Sequence, residues 1–300
     1  MRILIAVDGS DCSERAVSLV STFALPPDSV VRVVGVHRPY SDVLAISWAT
    51  MGDAGSGGET EDEADARRLR EAIGRAEARL QDLDVKIEGF LVHGRPGSSI
   101  VDEAEAMSAD LVVVGSRGHG TIATMLLGST ASEVVDHAPC PVLVARRETL
   151  GPLVFADDGS TSARHAESVF TRWPIFAGLP CSVVTVAEVA VPVAAGFTPG
   201  LYDQVLESYT KSVDDAREQV RIEADTEAHR LADAGLAAAP VTLEGDPATE
   251  IVRYATERRT ATVVIGTRGH TGLARLILGS TARNVLVHAP CSVLIVREGR

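Results

Sequence analysis

The stretch Val112–Arg146 reads VVVGSRGHGTIATMLLGSTASEVVDHAPCPVLVAR, and Val263–Arg297 reads VVIGTRGHTGLARLILGSTARNVLVHAPCSVLIVR, shifted by 151 positions. Each copy opens on a short apolar run, breaks at a glycine loop, resumes with helical spacing and closes on a second apolar run. That is the strand, loop, helix, strand order of an α/β unit. Both copies contain Gly-x2-Gly-x9-Gly-Ser, at Gly115, Gly118, Gly128 and Ser129 and again at Gly266, Gly269, Gly279 and Ser280. A glycine ending a strand lets backbone N–H groups approach an anion. A Gly-Ser pair opening a helix adds free amides and a positive dipole end, worth ~0.3–2 kcal/mol to a phosphate. Turn glycines and a capping serine would look the same in one copy; the repeated spacing favours a phosphate site, present twice.

Outward from this stretch the first half continues the alternation. Ile3–Val7 is an apolar run ending in Asp8-Gly9-Ser10, followed by helical spacing over Ser13–Phe23. Strand runs follow at Val30–Val36, Lys86–Val92, Leu111–Val114 and Pro141–Ala145, with helices near Asp65–Leu83, Ser99–Met107 and Ser129–Asp136. The second half repeats the order, with strands at Leu153–Ala156, Ser182–Ala187, Pro240–Leu243, Thr262–Ile265 and Ser292–Val296. Val- and Ile-rich runs without polar alternation predict strands covered on both faces, and strict alternation with helices predicts parallel pairing. The expected fold is α/β: two tandem, doubly wound, parallel five-stranded sheets of Rossmann-like type, over residues 1–147 and 151–298. The Gly-rich stretch Ser47–Glu61 and its counterpart Val189–Gly200 read as loops. The apolar fifth strands, PVLVA and SVLIV, would be exposed edges unless the halves pair them about a pseudo-twofold axis, giving a dimer-like arrangement within one chain and leaving further homodimerisation open.

Three hundred residues make two domains of ordinary size. With 45% hydrophobic, 23% charged and only 4% aromatic residues, the chain is globular with an aliphatic interior. A net charge of -13 argues against nucleic-acid backbones and anionic membranes as partners. The N-terminus runs directly into a strand, with no long apolar segment there or later, which points to the cytoplasm. Cys12, Cys140, Cys181 and Cys291 form no CxxC pair and read as buried reduced thiols.

In an open parallel sheet a ligand lies beyond the carboxyl ends of the strands, where strand order reverses. Asp8 and Asp158, ending the first strand of each half, face that cleft and suit a ribose hydroxyl or a ligand amine; the alternative is a helix cap. Ser129 with Thr130, and Ser280 with Thr281, add hydroxyl donors. Val36 and Val186, ending the second strands, offer backbone groups and an apolar wall to a base, or are ordinary core. Arg117, Arg268, His119 and His270 sit within the loops and read mainly as solvated. His137 and His288, at a helix end, suit its negative pole.

On these residues the chain resembles a tandem universal stress protein, along nearly its whole length. The resemblance implies an adenine-nucleotide-alpha-hydrolase-like fold, and ATP as ligand, with AMP or ADP as variants and Mg2+ as a companion of ATP. It implies phosphate and ribose contacts for Gly115, Gly118, Gly128, Ser129, Gly266, Gly269, Gly279 and Ser280. Asp8 and Asp158 would hold the ribose or adenine side, with Val36 and Val186 near the base. Gly94-Arg95-Pro96 and Gly245-Asp246-Pro247 also match the family. One departure is Asp157, where the first half has Val7; an acid there, if it points inward, would weaken phosphate binding in the second half.

Neither motif is the GxxxxGK[ST] loop, and Lys86 and Lys211 are the sole lysines of the chain. The Gly-x-Ser-x-Gly nucleophile turn is missing as well. The expected function is therefore nucleotide binding with slow or no hydrolysis, coupled to stress regulation rather than to catalysis. Two other classes stay open: an adenylating or pyrophosphatase-type enzyme of related fold, and a nucleotide-free interaction scaffold.

Overall fold

A computed structural model of the chain describes residues 1–38, 60–118, 127–188, 199–267 and 278–297. Most of both expected loops, Ser47–Glu61 and Val189–Gly200, lies outside them. The chain divides into two compact units, one drawn from Met1–Leu150 together with 292–297, the other lying between Gly151 and Cys291.

In the first unit β1 (Arg2–Ala6), β2 (Val30–His37), β3 (Lys86–His93), β4 (Leu111–Gly115) and β5 (Val142–Ala145) pair in parallel in the order β3-β2-β1-β4-β5. Ile3, Leu4 and Ile5 of β1 are wholly buried, as the apolar run requires of a central strand. The helices are α1 (Asp11–Val20), α2 (Glu61–Leu80), α3 (Pro96–Ala106) and α4 (Ser129–His137). α1 starts where Ser10 accepts a bond from the Ser13 amide, and α2 at a capping box between Thr60 and Glu63. The two bonds from Thr60, backbone first, hold the Glu63 carboxyl below the usual carboxylate range.

The last strand, β10 (Ser292–Val296), also belongs to the first unit, where it pairs antiparallel with β5. Leu294 faces Leu143, Val293 faces Val144 and Ile295 faces Val142. Leu143 and Leu294 are the same position of the repeat, so the register of this strand pair is itself two-fold symmetric. The Ser292 hydroxyl accepts from the Arg146 and Arg147 amides, both at 3.0 Å, fixing the start of β10 at the end of β5.

In the second unit β6 (Leu153–Ala156), β7 (Pro180–Ala187), β8 (Ala237–Glu244) and β9 (Thr262–Gly266) are parallel in the order β9-β6-β7-β8. Its helices are α5 (Thr161–Arg172), α6 (Pro199–Asp233), α7 (Pro247–Glu257) and α8 (Ser280–His288). β8 begins three residues before the expected Pro240. A proline is tolerated there because β8 ends the strand order, and its missing N–H breaks no inner ladder. The outer strands β3 and β8 are only partly covered, unlike the inner ones; Phe90 of β3 is 44% exposed and shielded on one side by the Arg32 guanidinium, 4.8 Å from the ring centroid.

The interiors also differ. An aliphatic core describes the first unit, but the second stacks Phe155, Phe170, Phe176 and Trp173, with centroid separations of 5.8, 4.5 and 6.1 Å along the series. Gly35 of β2 leaves room for α2, since an added Cβ would lie 3.0 Å from Ile73 Cδ1. In the second unit the sizes are exchanged, with buried Thr185 on the strand and buried Ala224 on the helix. All four cysteines are buried free thiols, and burial pushes Cys140 and Cys181 up to about 12.

Phe170 is the centre of the aromatic stack and is 1% exposed. Phe170→Ala is expected to cost about 3–5 kcal/mol, read as a lower urea midpoint for the second unit, with tryptophan fluorescence reporting the loss near Trp173.

Candidate functional site

β1 pairs with β2 on one side and β4 on the other, so strand order reverses between β1 and β4. The carboxyl ends of these strands part there, and a cleft of about 290 Å³ opens between them. Asp8, Val36, Gly115, Gly118, Gly128, Ser129 and Thr130 all line it, brought together from β1, β2, β4 and the start of α4.

Each glycine is there for a different reason. A Cβ on Gly115 would lie 2.7 Å from the Cys12 carbonyl carbon and 2.9 Å from the Ser13 nitrogen, so the first turn of α1 can press on the end of β4 only if that residue has no side chain. A Cβ on Gly118 would meet the Asp8 carboxylate, at Oδ2. Gly128 has an ordinary extended backbone, φ -74° and ψ 153°, and its amide donates to the Ser116 carbonyl at 2.8 Å. It is the N-cap of α4 and brings no capping side chain.

That last point separates α4 from α1 and α2; α3, opening on Arg95, also lacks a side-chain cap bond but starts with Pro96, which has no amide to satisfy. Ser10, Thr60, Ser160 and Asp246 each accept a first-turn amide of the helix they open. α4 and α8 open instead on Gly128 and Gly279, with no side-chain cap bond. Ser129 and Ser280 are the first helical residues rather than caps. The first amides of each helix, which lack helical partners, are thus left to the cleft side.

Asp8 does not cap α1, because Ser10 does. Its Oδ1 accepts from the Ser10 amide at 3.0 Å and the Ser10 hydroxyl at 2.6 Å, while Oδ2 points toward Gly118. Gly9, at φ +79°, supplies the left-handed turn that this geometry needs. Pro96 completes the cleft wall on the β3 side, after Gly94 at φ +147°. Arg117 lines the cleft and its carbonyl receives the Ser10 hydroxyl at 3.4 Å. His137 and His288 each turn Nδ1 onto a backbone carbonyl one helical turn back, Glu133 and Asn284, both at 2.9 Å; they finish helices and stand apart from the cleft residues.

The second unit repeats the placement at the ends of β6, β7 and β9 and the start of α8, with Asp158, Val186, Gly266, Gly279, Ser280 and Thr281. Gly266 stands against Ser162 as Gly115 does against Cys12, an added Cβ lying 2.9 Å from the Ser162 backbone. Asp158 Oδ1 accepts from the Ser160 amide at 3.0 Å. Gly269, Arg268, His119 and His270 lie outside the described residues. Asp157, half-buried, accepts from the Gly159 amide at 3.0 Å; burial raises its carboxyl above the usual range, with the charges of Asp158, Glu167 and Glu223 adding to that and the Gly159 bond opposing it.

Some residues near the first cleft carry no sequence motif. Asp65 and Leu69 of α2 and Ile100 of α3 line it. At the ends of β2 and β3, His37 and His93 face each other Nδ1 to Nδ1 at 3.2 Å, with His37 Nε2 3.2 Å from Asp62. A histidine closing each of two adjacent strand runs was the available signal. Among the described residues no three His, Cys, Asp or Glu side chains are gathered to hold a metal, and no helix is long and apolar enough to cross a membrane.

Comparison with known proteins places the chain in a lineage. The model of the universal stress protein family matches residues 1–146 and again 151–297. A universal stress protein of Thermus aquaticus is 36% identical over 145 residues, covering 48% of this chain and 97% of the relative. One from Mycobacterium tuberculosis H37Rv is 26% identical over 310 residues, covering 99% of this chain and 97% of its own. The crystal structure of a universal stress protein from Archaeoglobus fulgidus matches with TM-score 0.62 at 16% identity, over 99% of this chain and 98% of that one, a likeness of fold.

The glycines make separable demands. Gly115→Ala forces the backbone of α1 away from β4 and is expected to destabilise the first unit by about 1–3 kcal/mol. Gly118→Ala meets only the movable end of Asp8 and is expected to change stability by less than about 0.5 kcal/mol. Chemical denaturation of the two variants checks the contrast.

Proposed function

The chain belongs to the universal stress protein family, and from that premise we propose that it binds ATP in the β1/β4 cleft and in its second-unit counterpart, acting as a nucleotide-dependent regulator of a stress response rather than as a fast ATPase. The observation that carries the reading is the bare, uncapped start of α4 opposite Asp8, on a cleft lined by all seven first-half motif residues. Amides of the Gly128 turn and the hydroxyls of Ser129 and Thr130 suit phosphate oxygens. Asp8, held by Ser10, has an acceptor for a ribose hydroxyl or an amine, and Val36 presents an apolar wall to a base. Gly266, Gly269, Gly279, Ser280, Thr281, Asp158 and Val186 take the same parts in the second unit. ADP and AMP share the adenosine end of this cradle.

Slow or absent hydrolysis follows from what the motifs contain. Neither has a lysine, and Lys86 is engaged with Glu88 on β3. Phosphoryl transfer depends on positioned positive charge and metal, and Mg2+ would arrive with the nucleotide, neutralising phosphate oxygens. The protein works in the cytoplasm in this reading, with no nucleic-acid or membrane partner, as a dimer-like single chain able to pair further.

Equilibrium binding to the purified protein decides the matter. ATP is expected to bind, and Gly128→Asp to weaken the first site at least tenfold while leaving the fold intact, because the new carboxylate caps α4 itself and repels phosphate. Failure of ATP, ADP and AMP to bind at millimolar concentration, a free energy weaker than about 4 kcal/mol, would sink the reading.

A further inference from the structure

Aligning the two halves gives an offset of 150 positions up to the second strand and 151 from α2 onward, since α2 and the third strand keep the same spacing in both halves. On that alignment Val7, Val17, Ala72 and Ala76 of the first unit correspond to Asp157, Glu167, Glu223 and Glu227 of the second. The four first-unit residues are buried and apolar, Val7 just after β1, Val17 on α1, and Ala72 and Ala76 on the buried face of α2. Four carboxylates stand in their place.

Glu227 is the deepest of them, 5% exposed, on the buried face of α6 beside Ala224 and Ala228. Its Oε2 lies 3.3 Å from Arg230, an outward-reaching side chain, whereas its buried Oε1 has no hydrogen-bond partner. An ionised carboxylate with one oxygen buried and unbonded is costly, and a proton removes most of that cost. Glu167 of α5 and Asp157, just after β6, are the charges that act on Glu227 besides Arg230. Asp157 in turn faces Asp158, Glu167 and Glu223, whose Oε2 would lie 3.9 Å from a Cβ on Gly159. The neighbouring cation Arg164 is engaged with the Gly159 carbonyl at 2.7 Å, and β7 contributes the Val184 carbonyl, which accepts the Asp157 amide at 3.0 Å.

We propose that the second unit is a proton-responsive module, in which α6 stays packed on β7 and β8 while Glu227 and Asp157, facing Glu167 and Glu223, hold protons, and loosens when these two carboxyls give them up. Burial first, then the Glu167 and Asp157 charges, push the Glu227 carboxyl up to about 7, and Asp157 is displaced the same way. A carboxyl raised by folding binds its proton more tightly in the folded form. Its stabilisation is complete below its ordinary value of 4.5 and is lost as pH climbs through about 7. The first unit has valine and alanine at these positions and lacks this carboxylate cluster. Asp157 carries the protonation state outward, because the matching Val7 lines the first cleft.

Hydrogen exchange of the full-length chain at pH 5.5 and 8.0, with labelling times scaled for intrinsic exchange and no nucleotide added, tests this independently of what either cleft binds. Protection of α6 over 217–233 is expected to fall on the order of tenfold relative to α2 between the two conditions. In Glu227→Gln that pH response should shrink to the level of α2, and Glu227→Ala, which restores the first-unit residue, should do the same. Equal responses of α6 and α2 in the wild type overturn the proposal, as does a full wild-type response in either variant.

Discussion

The approach of α1 to the bare end of β4 is the contact on which the cleft depends. With nothing but backbone at Gly115, the first turn of α1 comes within 3 Å of where a side chain would begin. This brings the Asp8-Gly9-Ser10 turn alongside the segment leaving β4, so that Ser10 reaches Arg117 and Asp8 reaches Gly118. Two distant pieces of chain then share one small volume. The second unit obeys the same constraint at Gly266 and Ser162, which is why the glycine spacing survives in both halves while much around it differs.

The strands, their parallel pairing and the doubling of the fold were readable because they rest on periodic signals: apolar runs of fixed length, helical spacing between them, and a doubled glycine pattern. Finer assignments depended on single bonds that no period encodes. Asp8 and Ser10 both fit a cap, and only geometry gives the role to Ser10. Ser129 looked like a cap, yet Gly128 occupies that position. Pro199 and Gly200 fall at the end of the stretch read as a loop, yet proline suits a helix start, and α6 begins there. Glu167, Glu223 and Glu227 passed unnoticed for two reasons. A glutamate within a helix ordinarily faces water, and the one-residue change of offset between the second and third strands hides its apolar counterpart.

The two units are one scaffold filled in two ways. In the first, small and aliphatic residues meet closely, with Ile73 seated over Gly35. In the second, the strand residue grows to Thr185 and the helix residue shrinks to Ala224, aromatic rings fill the centre, and acids occupy positions beside the cleft. Backbone geometry tolerates both because it is fixed mainly by glycines and ladder bonds, whereas the electrostatic character of each cleft is set by a few side chains behind it.

The pairing of β10 with β5 carries a consequence for the order of synthesis. Leu143 leaves the ribosome 151 residues before Leu294, its partner across the ladder. At about 5–20 residues per second the apolar edge of β5 waits on the order of 10 s for the strand that covers it. During that interval the nascent first unit exposes Val-Leu-Val-Ala as an open template, on which another copy's β5 could be seated in place of β10. Completion of this edge is thus a timed intramolecular event, whose delay is set by translation speed.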